Sequence, residues 1–126
     1  MHQPDIEIYL KDDFLNELTD WLQQLGPVDL GPWSGNLRRG TLQCQTRIPL
    51  IIVRKAAGKW ASICFESDAT PWATDLDCAR AVAAGINREV RCSVGGWVEE
   101  QGEANADNWM KVSAAGEEEF VWAHKP

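Results

Sequence analysis

The side chains of this chain that are best suited to binding chemistry are its indoles and guanidinium groups. Aromatic side chains on loops line ligand clefts and anchor interfaces, although packing against a neighbouring proline also gives them a structural role. A guanidinium group offers a planar fork of donors that matches a carboxylate or a phosphate. The candidate ligand-binding residues are three tryptophans of predicted loops or bends and three arginines of one basic stretch: Trp33, Trp72, Trp97, Arg38, Arg39 and Arg47.

Charge is unevenly distributed along the chain, whose formal net charge is −7. Residues 30–65 contain basic side chains and no acid, whereas the segment from Glu99 to Glu119 is rich in acids and has only Lys111 in opposition. The basic stretch either holds an anionic group or is balanced by acids of the same chain. The acidic excess argues against a nucleic-acid partner, because phosphate contacts need an excess of Lys and Arg.

The acids themselves support a second hypothesis. The loop 99–107 and the run Glu117–Glu119, which is predicted at a hairpin tip, would form an acidic surface for a basic protein partner. On this hypothesis the chain itself would be an interaction protein of the inhibitor or immunity type. Neither segment has the alternating oxygen ligands and central glycine of a calcium-binding loop.

Residues for catalysis are scarce. The two histidines, His2 and His124, lie next to the termini, and the motifs of serine hydrolases, P-loops, dinucleotide folds and zinc proteases are absent. The four cysteines are widely spaced, which favours core thiols over zinc ligands: Cys44, Cys64, Cys78 and Cys92. The sequence therefore favours a non-enzymatic protein without metal or cofactor. Its 19 acids do not exclude acid–base catalysis by a pair of carboxylates.

Hydrophobic periodicity predicts the first elements that position these residues. A period-two pattern predicts a strand over 6–11. Helical spacing then predicts a helix from Phe14 to Leu25, capped by Asp12 or Asp13. Gly26, in a left-handed conformation, and Pro27 would end this helix. The Pro- and Gly-rich residues 27–37 predict a loop that contains Trp33.

The remainder of the chain is predicted as strands around one further helix. Thr74 and Asp77 resemble a capping box, which would open a helix that ends near Asn87. Pro49 would mark a bend, because proline cannot donate to a strand ladder. The further strands are predicted at 41–48, 50–53, 60–65, 90–94, 109–112 and 120–122.

These elements predict a single domain, 1–126, of the α+β class, with the order β-α-β-β-β-α-β-β-β. Consecutive strands joined by short turns favour a mainly antiparallel sheet, with the two helices on it in a two-layer sandwich. The order can also be divided into two β-α-β-β units, 4–55 and 59–113, followed by a final strand.

Two stretches, Thr70–Arg80 and Arg91–Trp97, resemble small bacterial conserved proteins of unassigned function. This resemblance implies a bacterial cytosolic origin and no mechanism. The tandem strand–helix order is similar to that of the vicinal oxygen chelate and GyrI-like ligand-binding families. The histidine and glutamate metal ligands of the chelate family have no matching positions here.

The first hypothesis is therefore a non-enzymatic module that binds a small molecule or peptide in a tryptophan-lined cleft, with an arginine as the anion anchor. The chain has no apolar run of the length that a membrane-spanning helix needs, and its first residues lack a secretory pattern. A cytoplasmic protein, monomeric or dimeric, is expected.

Overall fold

The computed structural model describes residues 5–67, 69–93 and 108–121. The predictions for Trp97 and for the acidic loop 99–107 lie outside these residues. In the part of the chain that is described, neither helix is long and apolar enough to cross a membrane.

The described chain contains two helices and eight strands. The helices are α1 (Leu15–Leu25), which follows a 3₁₀ turn (Asp12–Phe14), and α2 (Asp75–Ile86). The strands are β1 (Ile6–Lys11), β2 (Val28–Ser34), β3 (Leu37–Gln43), β4 (Arg47–Ala57), β5 (Trp60–Phe65), β6 (Val90–Ser93), β7 (Asn108–Ser113) and β8 (Gly116–Val121).

The eight strands form one sheet in the order β2-β3-β4-β5-β1-β6-β7-β8. Every neighbouring pair is antiparallel. Since β1 pairs with both β5 and β6, it joins the two halves of the sheet. The chain passes twice through the order β-α-β-β-β, but the pairing is not repeated: β6 lies beside β1, whereas its counterpart β2 lies at one end of the sheet.

One buried cluster joins the strands to both helices. Ile8 of β1 and Ile63 of β5 are direct cross-strand partners, and both are completely buried. Leu18 of α1 and Val82 of α2 belong to the same cluster, and the two helices contact each other. The predicted α+β class, with a mainly antiparallel sheet and two helices, is confirmed.

The strand count between the helices corrects the prediction, because four strands lie there instead of three. Residues 28–34, predicted as part of a loop, form β2. This strand tolerates Gly31 and Pro32 because it is an edge strand and has a bulge: two residues stand opposite Arg39, between the pairs Leu30–Gly40 and Trp33–Arg38.

Three other boundaries differ from the prediction. The predicted strand 41–48 is divided between β3 and β4, because the chain bends at residues 44–46. Pro49 lies within β4 opposite Thr41, one position before the β4–β5 pairing begins at Leu50. Its carbonyl oxygen accepts the Glu66 N–H at 2.8 Å, so its missing N–H falls at the end of the β4–β5 ladder rather than inside it. The acidic run Glu117–Glu119 lies inside β8 rather than at a hairpin tip, because the turn falls on the two alanines that precede Gly116.

Of the features predicted at the helix ends, the structure confirms the cap of α2 but not the aspartate cap or the left-handed glycine of α1. The Thr74 Oγ1 atom accepts the Asp77 N–H at 3.1 Å, which confirms the predicted cap of α2. The residue before α1 is Phe14, and no side chain caps this helix. Gly26 is extended, with φ 170°, instead of left-handed. Position 26 requires glycine for another reason: a Cβ atom there would collide with the carbonyl oxygen of Gln43.

We predict that Gly85→Ala destabilises the protein, although alanine is the better helix former by about 1 kcal/mol. A Cβ atom at position 85 of α2 would lie 2.5 Å from Cδ1 of Trp21, whose indole stacks on Trp72 with ring centroids 6.3 Å apart. Displacing this ring costs about 1–3 kcal/mol, so urea denaturation should show a net loss of about 1 kcal/mol.

The double variant Trp21→Leu/Gly85→Ala separates this clash from an effect on the helix. With the indole removed, alanine at position 85 should become stabilising relative to Trp21→Leu alone. A gain in stability on Gly85→Ala in the otherwise unchanged chain would contradict the predicted clash.

Candidate functional site

A pocket of about 210 Å³ lies where the start of α1 meets β2, β3 and β4. Its walls come from the 3₁₀ turn, from the first turns of α1 and from the core-facing sides of three strands. The residues that line it are Asp12, Asp13, Leu15, Asn16, Thr19, Trp33, Arg38, Ile52 and Arg54.

Strand register brings an indole and two guanidinium groups together in this pocket. Trp33 of β2 is the cross-strand partner of Arg38, which in turn pairs with the buried Ile52 of β4. Arg54 is two residues beyond Ile52. The Arg54 Cζ atom lies 4.0 Å from the centroid of the Trp33 ring, and the Arg38 Cζ atom lies 5.4 Å from it.

Main-chain carbonyls hold each guanidinium group in place. The Arg38 Nε atom donates to the carbonyl oxygen of Gly31 at 2.6 Å, and Arg54 Nη2 donates to that of Gly35 at 3.2 Å. The Arg54 Nε atom is buried and has no hydrogen-bond partner among the residues that the structure describes. In the described part of the chain neither guanidinium makes an ion pair, so two positive charges face one pocket without a carboxylate partner.

Carboxylates line another part of the same pocket. Lys55 has φ 56°, in the left-handed region, and its N–H donates to Asp12 Oδ1 at 3.2 Å, which ties the 3₁₀ turn to β4. The Asp13 carboxylate accepts no hydrogen bond and makes no ion pair with any residue of the described ranges. The pocket therefore holds positively and negatively charged side chains that form no ion pair with a described residue.

The remaining predicted ligand-binding residues lie elsewhere. Arg39 and Arg47 are exposed, and strand alternation places their side chains on the sheet face opposite the core. Trp72 packs against Phe65, with ring centroids 5.2 Å apart, and stacks on Trp21. The structure thus brings Trp33 and Arg38 together, while Trp97 is not among the residues it describes.

Seven of the nine residues that line the pocket are absent from the predicted set, among them the charged residues Arg54 and Asp13. Arg54 was detectable in principle, because it continues the core-facing alternation of Leu50 and Ile52. No pattern in the sequence places Asp13 at the pocket. Asp13 was predicted as a candidate helix cap, and only the packing of the 3₁₀ turn against β4 places it at the pocket.

The opposite face of the sheet carries a second group of aromatic and charged residues. Trp60 and Trp109 are each 8% exposed. The Arg91 Cζ atom lies 4.0 Å from the centroid of the Trp60 ring and 4.8 Å from that of Phe120, and Tyr9 meets Trp109 edge to face at 5.2 Å. These indoles are already covered by side chains of the protein, so they do not form an open cleft.

A hydrogen-bonded group lies beside these aromatic residues. Ser62 Oγ donates to Glu7 Oε2 at 2.5 Å. Burial, followed by the charge of Glu7, raises the pKa of the Tyr9 phenol to about 12. Burial also raises the pKa of the Asp75 carboxyl, which accepts the Glu7 N–H at 3.1 Å. The Tyr9 phenol and the Asp75 carboxyl therefore keep their protons more firmly than in water, which does not suit a nucleophile.

The acids of β8 that the structure describes are partly used within the fold. Glu117 forms a bidentate pair with Arg80 of α2, at 2.6 and 3.0 Å. Glu118 lies 3.6 Å from Lys111 of β7. None of these contacts involves the basic stretch 38–59, so balancing of that stretch by acids is not seen among the described residues.

The described ranges contain no group of three or more His, Cys, Asp or Glu side chains that is arranged to hold a metal ion. Comparison with protein-family models, with curated proteins and with solved structures finds no match to this chain. The resemblance stated for 70–80 and 91–97 stays a prediction, and function must follow from the geometry of the chain's own residues.

We predict that Cys64 is a poor nucleophile. Burial, followed by the charges of Glu7, Asp5, Glu66 and Asp75, raises its pKa from 9.0 to about 12. Because only the thiolate reacts with iodoacetamide, the labelling rate should keep rising about tenfold per pH unit between about pH 8 and 10. In urea, where these neighbours are lost, the rate should level off above about pH 9. Peptide mass spectrometry measures both rates. A plateau near pH 9 in the folded protein would show that the thiol is not shifted.

Proposed function

We propose that this protein binds a small anionic molecule, without transforming it, in the pocket formed by Trp33, Arg38 and Arg54. The observation that carries the proposal is the pair of guanidinium groups that share this pocket with an indole and lack a carboxylate partner among the described residues. Charges that are removed from water without a partner are costly. A bound anion would supply that partner.

The geometry of Arg38 supports recognition of a carboxylate or phosphate. Its Nε atom is engaged by the Gly31 carbonyl, which leaves both terminal nitrogens without a partner among the described residues. Two such nitrogens can donate side by side to two oxygens of one group. Stacking of Arg54 on Trp33 holds the second guanidinium beside the first at little further cost in side-chain entropy.

The size of the pocket favours a metabolite over a polymer. Its volume of about 210 Å³ is below the range of about 300–1,000 Å³ that is usual for drug-sized ligands. The lining residues that the structure describes include no histidine and no cysteine, and the hydroxyl of Thr19 donates to the Leu15 carbonyl at 3.0 Å. These features support binding rather than catalysis.

We also propose that the sheet and the helices form two layers, with both helices on one face of the sheet. The pocket then opens beside the edge strand β2, where α1 begins, so a small solute can enter without separating the layers. The shared core of the helices and the central strands supports this arrangement.

Removal of the Arg38 charge tests this function. The Trp33 indole N–H signal, assigned with the variant Trp33→Phe, would be followed by two-dimensional NMR. The ligands would be inorganic phosphate, small mono- and dicarboxylates, and free and N-acetylated amino acids. We expect at least one of these anions to shift the signal. Arg38→Gln should weaken that binding about 10- to 100-fold, the usual effect of losing a hydrogen bond to a charged group.

Arg39→Gln is the matched control. It removes the same charge from the next residue of β3, but on the opposite face of the sheet, so affinity should change less than about threefold. Equal weakening by the two variants would indicate a general effect of net charge. A Trp33 signal that none of these anions shifts would overturn the proposed function.

A further inference from the structure

The anion-binding pocket also contains acids that its arginines do not neutralise. Arg38 and Arg54 enter from the strands, whereas Asp12 and Asp13 enter from the turn before α1. In the described chain, no nitrogen of either arginine lies within 4.0 Å of a carboxylate oxygen. Two arginines and two aspartates therefore line one small cavity without forming ion pairs with each other.

This separation discriminates between kinds of anion. A ligand that carries only negative charge is attracted by the arginines and repelled by the two acids, and these effects oppose each other inside one cavity. A ligand that carries an ammonium group as well is attracted by both sets of side chains. Specificity of this kind depends as much on the repulsion of wrong ligands as on attraction of the right one.

Of the two acids, Asp13 is the one available to a ligand. Asp12 already accepts the Lys55 N–H through Oδ1 and supports the left-handed backbone there. Asp13 is exposed, and within the described ranges nothing donates to its carboxylate. An ammonium group has three donors and no acceptor, so an unpaired carboxylate is its natural partner.

We infer that the ligand is a zwitterion of the amino-acid class, with a carboxylate and an ammonium group on one small molecule. This inference rests on the proposed function. The carboxylate binds Arg38 and Arg54, the ammonium group binds Asp13, and the rest of the ligand contacts Leu15, Ile52 and Trp33. The volume of about 210 Å³ suits a molecule of this size.

The experiment uses the full chain and each of the twenty common amino acids, tested singly against the Trp33 indole N–H signal. Any amino acid that shifts the signal is retested as its N-acetyl derivative, which lacks the ammonium charge, and as its amide, which lacks the carboxylate. We expect at least one free amino acid to bind, and both derivatives to bind at least tenfold more weakly.

Asp13→Asn is the matching variant of the protein. It should weaken binding of the free amino acid at least tenfold and leave binding of the N-acetyl derivative unchanged or tighter. Asp13 is exposed and its carboxylate accepts no hydrogen bond from a described residue, so Asp13→Asn should not prevent folding. Asp20→Asn is the control, because Asp20 is exposed on α1 and does not line the pocket. Asp20→Asn should change neither the affinity for the free amino acid nor that for its N-acetyl derivative.

The outcomes separate this inference from the proposed function. If an N-acetyl derivative, phosphate or a simple carboxylate binds as well as every free amino acid, the zwitterion is overturned and anion binding stands. The same holds if Asp13→Asn leaves amino-acid binding unchanged. If none of these molecules shifts the Trp33 signal, both the inference and the proposed function fail.

Discussion

The pairing of β1 with β5 at the centre of the sheet is the constraint on which the rest of the structure depends. All six residues of each strand are in register, from Ile6 opposite Phe65 to Lys11 opposite Trp60. The alternate residues of β1 on the core side are almost completely buried. A slip of one residue would turn that whole set to the other face, so the hydrophobic pattern holds the register firmly. Because β5 also pairs with β4 and β1 also pairs with β6, this ladder unites the two halves of the sheet.

The pocket depends on a weaker part of the same sheet, at its edge. Among the described strands β2 pairs with β3 alone, and it contains Gly31 and Pro32, so fewer main-chain hydrogen bonds hold it than hold a central strand. The bulge between Leu30 and Trp33 changes which side chain faces the core and places the indole opposite Arg38. An irregular edge beside a rigid centre is a common arrangement for binding sites, because the scaffold holds the position while the edge supplies the chemistry.

Charge is divided between two parts of the structure. The ion pairs among the described residues all involve α1, α2 or the segment that follows α2, as in the pairs Arg80–Glu117 and Arg88–Glu17. The basic stretch takes part in none of them. Its core-facing arginines are instead held by main-chain carbonyls and by the face of Trp33, interactions that fix a guanidinium group without removing its charge. This difference makes the pocket electrostatically distinct in a protein of net charge −7.

The sequence by itself determined the elements whose pattern is local and regular. The strands over 6–11 and 60–65, the helix capped by Thr74 and the α+β class follow from periodicity and capping, since each depends on residues a few positions apart. Trp33 and Arg38 could also be selected by residue type. Only the tertiary structure decided that Trp33 lies on a strand, that Arg54 and Asp13 join it, and that Arg39 faces the other way. Edge pairing, the bulge and the packing of the 3₁₀ turn on β4 depend on residues distant in the chain, and no local pattern encodes which of them will meet.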